Sequence, residues 1–343
     1  MSTSAAEMVS LFRKELEFCR VNEKETVALF TEPRFDQSYS AAFVAASKDF
    51  GADVFTLVVP SLREPSLSFP GKAVTESLKQ ADLVVDMTML PGPGFHSLSP
   101  FLYTDASNEI LASGSRILMV NHAVDVLRRL LPDQRIAKRC RAGAEFLEKA
   151  ETIRLTSAAG TDLTLGKKGR PSNCQRGYVD EPGQWDHWPS AQVGCAPLED
   201  SSNGTLVLDT GDWVVNFRMI RDQVKIKIKS GRAIDIQGGS DAVYLREWFR
   251  LWNDEWAYGV SHIGWGCEDR AIWGASVMDV ESYYANTLIA FGSNFFKGPA
   301  KYCGLGGKNR SLAHLDIGLR NCNFYADGKL ITSKGNIVPD ALQ

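Results

Sequence analysis

The apolar residues of this chain fall into two regimes: short unbroken runs in the first half, and alternation with polar residues through much of the second. Residues 26–31, 53–59, 82–88 and 116–120 are compact apolar runs, the pattern of parallel strands covered on both faces. Between them, residues 37–50, 72–80 and 104–112 read as helices, with Gly51 and Gly114 as C-terminal stops. Strand alternating with helix predicts an N-terminal doubly wound α/β domain with a mainly parallel sheet.

A helix-favouring stretch over 134–150 ends this regime, and short strands with glycine-rich turns follow. The domain boundary is therefore expected near residue 150, giving an α/β domain over 1–150 and a β-rich α+β domain over 151–343. Residues 224–229 alternate strictly, Ser230-Gly231 makes a turn, and 233–237 returns, which predicts a hairpin with one solvated face. A helix over 240–255 and strand-like runs around 256–263, 284–291, 312–319 and 321–326 complete the second domain.

The candidate chemistry lies in that second domain. His314 and Asp316 occupy positions i and i+2 of an alternating run over 311–319, so a strand there points both to one face. A third ligand must come from elsewhere, and His262, in Val260-Ser-His-Ile-Gly-Trp-Gly266, is the best-placed residue. Two imidazoles and one carboxylate are the ligand set of mononuclear non-haem iron(II) and leave open positions for a substrate and O2. A His-x-Asp pair taken alone is more often a core histidine bonded to a carboxylate. Gly264 and Gly266 strengthen the metal reading, because they allow close approach to the backbone beside His262.

His187 lies in the irregular segment 182–189 between Trp185 and Trp188, where a neutral imidazole can act as base or bond a ring substituent. The competing reading is a loop histidine among packing tryptophans. His96 and His122 are read as structural. Trp185, Trp188, Trp265, Phe291 and Phe295 are enough to line a slot for a flat ring, although aromatic residues are more often plain core. The glycines at 304, 306 and 307 do not make a phosphate loop, since Tyr302 stands where the first glycine is needed and Asn309 where Ser or Thr is needed.

Composition narrows the partners. The chain has 343 residues, 44% hydrophobic and 23% charged, with a formal net charge of −3. No basic footprint for nucleic acid exists, so a small molecule is the expected partner. The N-terminus lacks a signal-like pattern and no stretch is apolar enough to span a bilayer, so a soluble cytoplasmic protein without membrane association is expected. Seven scattered cysteines without a C-x-x-C pair fit neither a disulfide framework nor a structural zinc site.

Four motifs, in order, carry a family resemblance: residues 194–207, Ser261-His-Ile-Gly-Trp-Gly266, Ala290-Phe-Gly292 and Ala313-His-Leu-Asp316. With them the chain resembles the 2,5-dihydroxypyridine 5,6-dioxygenases of nicotinate catabolism, which share a fold with the M29 metallo-aminopeptidases. The peptidases bind two metals. Where their pattern has its first Glu this chain has Gln192, where it has the second Glu it has His262, and where it has a His before Ala-x-Gly it has Leu288. What remains, His262, His314 and Asp316, is a single-metal set. The dioxygenase resemblance implies Fe(II), O2 as co-substrate, opening of the pyridine ring between C5 and C6 to N-formylmaleamate, and a homo-oligomer; an M29-type aminopeptidase is the alternative. The family's Leu-Leu-His-like stretch matches Phe101-Leu-Tyr103, which makes Tyr103 and His187 the expected proton-handling or substrate-positioning groups. A carboxylate on the ring would need a positive partner, for which Arg176, Arg270 and Arg310 are available.

Overall fold

The structure is a computed structural model that describes residues 3–64, 66–89, 101–215, 218–296 and 298–343; His96 lies outside the described residues. The first part of the chain runs α1 (Ala5–Phe18), β1 (Thr26–Thr31), α2 (Gln37–Asp49), β2 (Asp53–Val58), α3 (Lys72–Leu78), β3 (Leu83–Met87), α4 (Asp105–Ala112), β4 (Arg116–Met119), α5 (Val124–Arg129) and α6 (Gln134–Glu148). The second continues with β5 (Thr152–Ser157), β6 (Asp162–Gly166), β7 (Ser172–Gln175), β8 (Trp185–His187), β9 (Gln192–Cys195), β10 (Asn203–Leu208), β11 (Trp213–Val214), β12 (Arg218–Met219), β13 (Val224–Lys229), β14 (Arg232–Gly238) and α7 (Ser240–Leu251). It ends with β15 (Val260–Gly266), α8 (Val277–Glu281), β16 (Thr287–Gly292), β17 (His314–Leu319), β18 (Cys322–Ala326), β19 (Lys329–Ser333) and β20 (Asn336–Ile337).

The expected α/β half is present as a parallel sheet of order β2-β1-β3-β4-β8. Alternate residues of one strand feed two cores: Val27 and Leu29 pack with Phe12 and Phe43, while Ala28 and Phe30 pack with Leu78 and Ile110. Both faces are thus covered at β1, β3 and β4, which is why these strands read as unbroken apolar runs, whereas the edge strand β2 is exposed or half-buried throughout. Helix α1 is not signalled by those runs. A capping box starts it, with Ser4 and Glu7 satisfying each other's backbone N–H groups, and Met8, Leu11, Phe12 and Leu16 form its buried stripe.

The remaining strands form two antiparallel sheets, β14-β13-β10-β6-β5-β18-β19-β20 and β12-β11-β17-β16-β15-β9-β7. They share one core, in which Leu155, Leu163 and Ile226 from the first meet Ile263, Ile289 and Ile317 from the second. The hairpin over β13 and β14 has its predicted alternation, buried at Val224, Ile226 and Ile228 and exposed at the lysines between.

Three details differ from the linear reading. Helix α6 ends the first part of the sequence, yet Cys140, Ala144 and Leu147 pack into the core of the two antiparallel sheets. Strand β8 lies well past residue 150, yet it pairs in parallel with β4, Ile117 opposite Trp185 and Met119 opposite His187. Helix α7 stops at Leu251 rather than near 255, because Asn253 takes a positive φ of 47° and Asp254 then caps a separate short turn over Glu255–Tyr258. All seven cysteines are free and buried. Among the described residues, no helix is long and apolar enough to cross a membrane.

Candidate metal centre and substrate cavity

Strands β15, β16 and β17 are neighbours, and the three proposed ligands sit on the outer two. Strands two places apart are about 10 Å from each other, so imidazoles meet across the middle strand only if it is bare beneath them. It is: Ala290 lies opposite Asp316 and Gly292 opposite His314. The register of β15 against β16 shifts between Val260 and Ile263, so His262 sits in the irregular stretch, and such a bulge re-aims a side chain.

The result brings His262, His314 and Asp316 together. His262 Nε2 is 3.1 Å from Asp316 Oδ1, His314 Nε2 is 3.2 Å from Asp316 Oδ2, and the two Nε2 atoms are 3.3 Å apart. Each imidazole faces a different carboxylate oxygen, and taken one atom per residue the three ligand atoms lie within 4.8 Å of one another, so slight side-chain adjustment puts all three on one ion with bonds of about 2.2 Å. Two further observations fit a cation. His314 Nδ1 lies 3.0 Å from the carbonyl oxygen of Ser293, an obligate acceptor, so the proton sits on Nδ1 and the Nε2 lone pair faces its partners. Asp316 Oδ1 is buried without an aligned hydrogen-bond donor. Burial opposes ionisation of Asp316, but His314 and His262 outweigh it and hold the carboxyl well below the usual range. Burial likewise lowers His262, with Asp316 pulling the other way.

The sheet face carrying this cluster is the floor of a cavity with about 590 Å³ of atom-free space, its mouth included. Asn173, Gln175, Gln192 and Leu288 extend the floor; Leu102, Tyr103, Trp185, His187 and Phe296 close it from the α/β side. His187 ends β8, at the carboxyl edge of the parallel sheet, where open α/β sheets bind ligands. Its ring meets Trp185 edge-on at 4.8 Å, and its Nδ1 is buried with no partner among the described residues. Burial, with nearby His122 adding to it, pushes His187 down to about 3, so the ring is neutral at physiological pH. The Tyr103 hydroxyl lies 3.1 Å from His314 Nε2. Burial and the neighbouring carboxyls of Asp316 and Glu281 raise its pKa well above 10, so it keeps its proton and acts as a donor.

Some expectations need correction. Of the five aromatic residues expected around a slot, only Trp185 lines the cavity. Trp188, Trp265 and Phe291 are fully buried core, and Phe295 carries the Arg310 guanidinium on its ring; Phe296, one position on, lines the cavity with Trp185 and Tyr103. The glycines near His262 serve the fold first. A Cβ on Gly264 would lie 1.9 Å from the Val193 carbonyl oxygen, and one on Gly266 2.3 Å from that of Tyr283, so protein backbone takes the space. Gly264→Ala is expected to push β9 off β15 and to cost about 3 kcal/mol or more, seen as a lowered urea midpoint; an unchanged midpoint would refute the close-packing account. His122 has a backbone role, its carbonyl accepting from Tyr39 at 2.9 Å. None of the three arginines reaches the cavity lining: Arg176 pairs with Asp180, Arg270 with Glu268 and Arg310 with Asp105. Asn173, Gln175, Gln192 and Glu281 form a buried polar wall, of which the family pattern pointed to Gln192 alone.

The family model of 2,5-dihydroxypyridine 5,6-dioxygenase matches residues 7–339. The chain belongs to this family. A 2,5-dihydroxypyridine 5,6-dioxygenase of Pseudomonas putida KT2440 is 34% identical, over 98% of this chain and 98% of its own length. The solved structure of 2,5-dihydroxypyridine dioxygenase from Pseudomonas putida KT2440 covers both chains fully with a TM-score of 0.90 at 32% identity. AmpT of Thermus thermophilus also superposes, over 98% of this chain and all of its own, but with a TM-score of 0.64 and 14% identity, a likeness of fold alone. The dioxygenase family is therefore favoured over the aminopeptidase alternative, and the expected aminopeptidase-like fold holds.

Proposed function

We propose that this member of the dioxygenase family opens the ring of 2,5-dihydroxypyridine between C5 and C6 with O2, giving N-formylmaleamate, at an iron(II) held by His262, His314 and Asp316. The observation that carries the reading is the cluster of two imidazoles and one carboxylate whose ligand atoms, one from each residue, lie within 4.8 Å of one another on the floor of an aromatic-walled cavity. That donor set leaves three positions of an octahedron open, and iron(II) bound there supplies the redox-active centre that O2 chemistry needs.

The chain's own groups orient the ring and handle its protons. Trp185 and Phe296, their centroids 4.9 Å apart, give the flat substrate an apolar wall, and Leu102 and Leu288 narrow the space. Tyr103 is the donor: when His314 Nε2 serves as a ligand, the phenol hydrogen is left to a substrate oxygen. His187 is the acceptor, a neutral imidazole with one unpaired buried nitrogen, and it accepts a hydrogen bond from a ring hydroxyl; the burial that keeps it neutral disfavours full transfer of the proton. The proposal extends to a cytoplasmic homo-oligomer.

Among the described residues the cavity lining contains no lysine or arginine. A ring carboxylate would therefore be desolvated without a partner, which costs several kcal/mol, of the order of a hundredfold or more in affinity. After anaerobic reconstitution with iron(II), oxygen uptake is expected with 2,5-dihydroxypyridine and at least about a hundredfold less, in kcat/KM, with a carboxylated dihydroxypyridine. No uptake with any hydroxypyridine would overturn the functional reading; equal rates would overturn the account of the pocket.

A further inference from the structure

Gln192 stands on β9 where the peptidase pattern has a carboxylate, and its amide is locked in one orientation. Its Nε2 donates to Gln175 Oε1 and, at 3.3 Å, to Glu281 Oε2, while Gln175 Oε1 also accepts from Ser190 at 2.9 Å. Turning the amide over would face its oxygen with Gln175 Oε1, which Ser190 already marks as an acceptor, so Oε1 is held the other way. There it is buried with no hydrogen-bond partner among the described residues, in a side chain that lines the cavity and is 7% exposed. A buried acceptor without a donor is costly, and a site that retains one is built for a ligand that supplies the hydrogen.

The substrate class supplies one. A 2-hydroxypyridine exists in water mainly as its 2-pyridone tautomer, whose ring carries an N–H beside a carbonyl. That N–H is the single donor that separates the heteroaromatic ring from a phenol of the same size. We propose that Gln192 Oε1 accepts the ring N–H of the substrate, and that Gln175 and Glu281 are positioning residues that hold the amide for it. The inference rests on the hydroxypyridine reading and adds how this enzyme tells such a ring from a carbocyclic one. An amide oxygen accepts at every physiological pH, so the selectivity does not depend on a titrating group.

The test uses the iron-loaded enzyme under nitrogen, with calorimetric affinities for 2-pyridone and phenol, neither of which carries the second hydroxyl. The parent is expected to favour 2-pyridone by about tenfold or more. Gln192→Met, which removes donor and acceptor at similar volume, should erase that preference by weakening 2-pyridone alone, with iron content unchanged. Glu281→Leu should also lower it, and Glu281→Gln, which keeps an oxygen for Gln192 Nε2, should restore it. Should the methionine variant not fold, the two Glu281 variants read the same hydrogen bond. A preference that survives Gln192→Met overturns the proposal, as does loss of iron in that variant, which would make Oε1 a metal ligand. A preference unaffected by Glu281→Leu overturns the positioning role. Binding selectivity is read without turnover, so absence of dioxygenase activity in the parent would count against the reaction and not against this contact.

Discussion

His262→Ala is expected to abolish iron retention and oxygen uptake together while leaving the fold intact. The residue is one of the three proposed ligands and sits in the bulged stretch of β15, so its loss would leave His314 and Asp316 on a single strand. Two ligands from one strand hold an ion weakly. Removing even an outer partner of a metal ligand typically costs ten- to a hundredfold in affinity, so removing the ligand itself should cost more than about a hundredfold. The apo fold should survive, because the ring reaches into a cavity rather than filling core, and thermal unfolding should stay within about 5 °C of the parent. Iron per chain after gel filtration, set beside oxygen uptake, checks this. Parent-level iron in the variant would remove His262 from the ligand set and with it the single-metal reading.

The second large effect is expected at His187. Removing a buried hydrogen-bond acceptor leaves the ring hydroxyl without a partner in the reacting complex, so kcat of His187→Ala should fall by about a hundredfold while iron content holds. Tyr103→Phe removes a neutral donor and leaves the ring tilted against His314, 4.7 Å between centroids, so about tenfold is expected. The contrast decides between two groups that lie in one cavity. Tyr103 keeps its proton because burial and two carboxyls oppose its ionisation, and His187 lacks one because burial and His122 oppose its protonation. The reverse ordering, with Tyr103→Phe the more damaging, would exchange the two roles.

Much of this site was legible along the chain because strands translate spacing directly into facing. His314 and Asp316 needed only the period of two, and β17 presents them as that period requires. The parallel strands were legible for a related reason: cover on both faces leaves no polar position to blur the run. What could not be read was pairing across the sheet. That His262 reaches His314 depends on Ala290 and Gly292 standing opposite the ligands, and on a register shift in β15, neither of which leaves a local pattern. Apart from Gln192, which the family pattern marked, the polar wall was hidden for the same reason, since Gln175 meets Gln192 only through the β7–β9 register, and Glu281 arrives from α8. Helix α1, by contrast, carried a readable signal in Ser4, Glu7 and a 3.6-residue apolar stripe, which attention to unbroken runs passes over. Phe296 in place of Phe295 shows the remaining limit, because no regular period governs the irregular segment that follows β16.

Strand β8 has a mechanical consequence. Between β7 and β9, both in the ligand-bearing sheet, the chain crosses into the parallel sheet, lays Trp185–His187 beside β4, and crosses back. The two walls of the active site are therefore stitched by a continuous thread just where a clamshell motion would need them to part. Opening such a hinge would strip β8 from its neighbour and carry His187 away from the floor. Traffic of small molecules must instead pass through rearrangement of side chains and loops at the rim, with the architecture itself held shut.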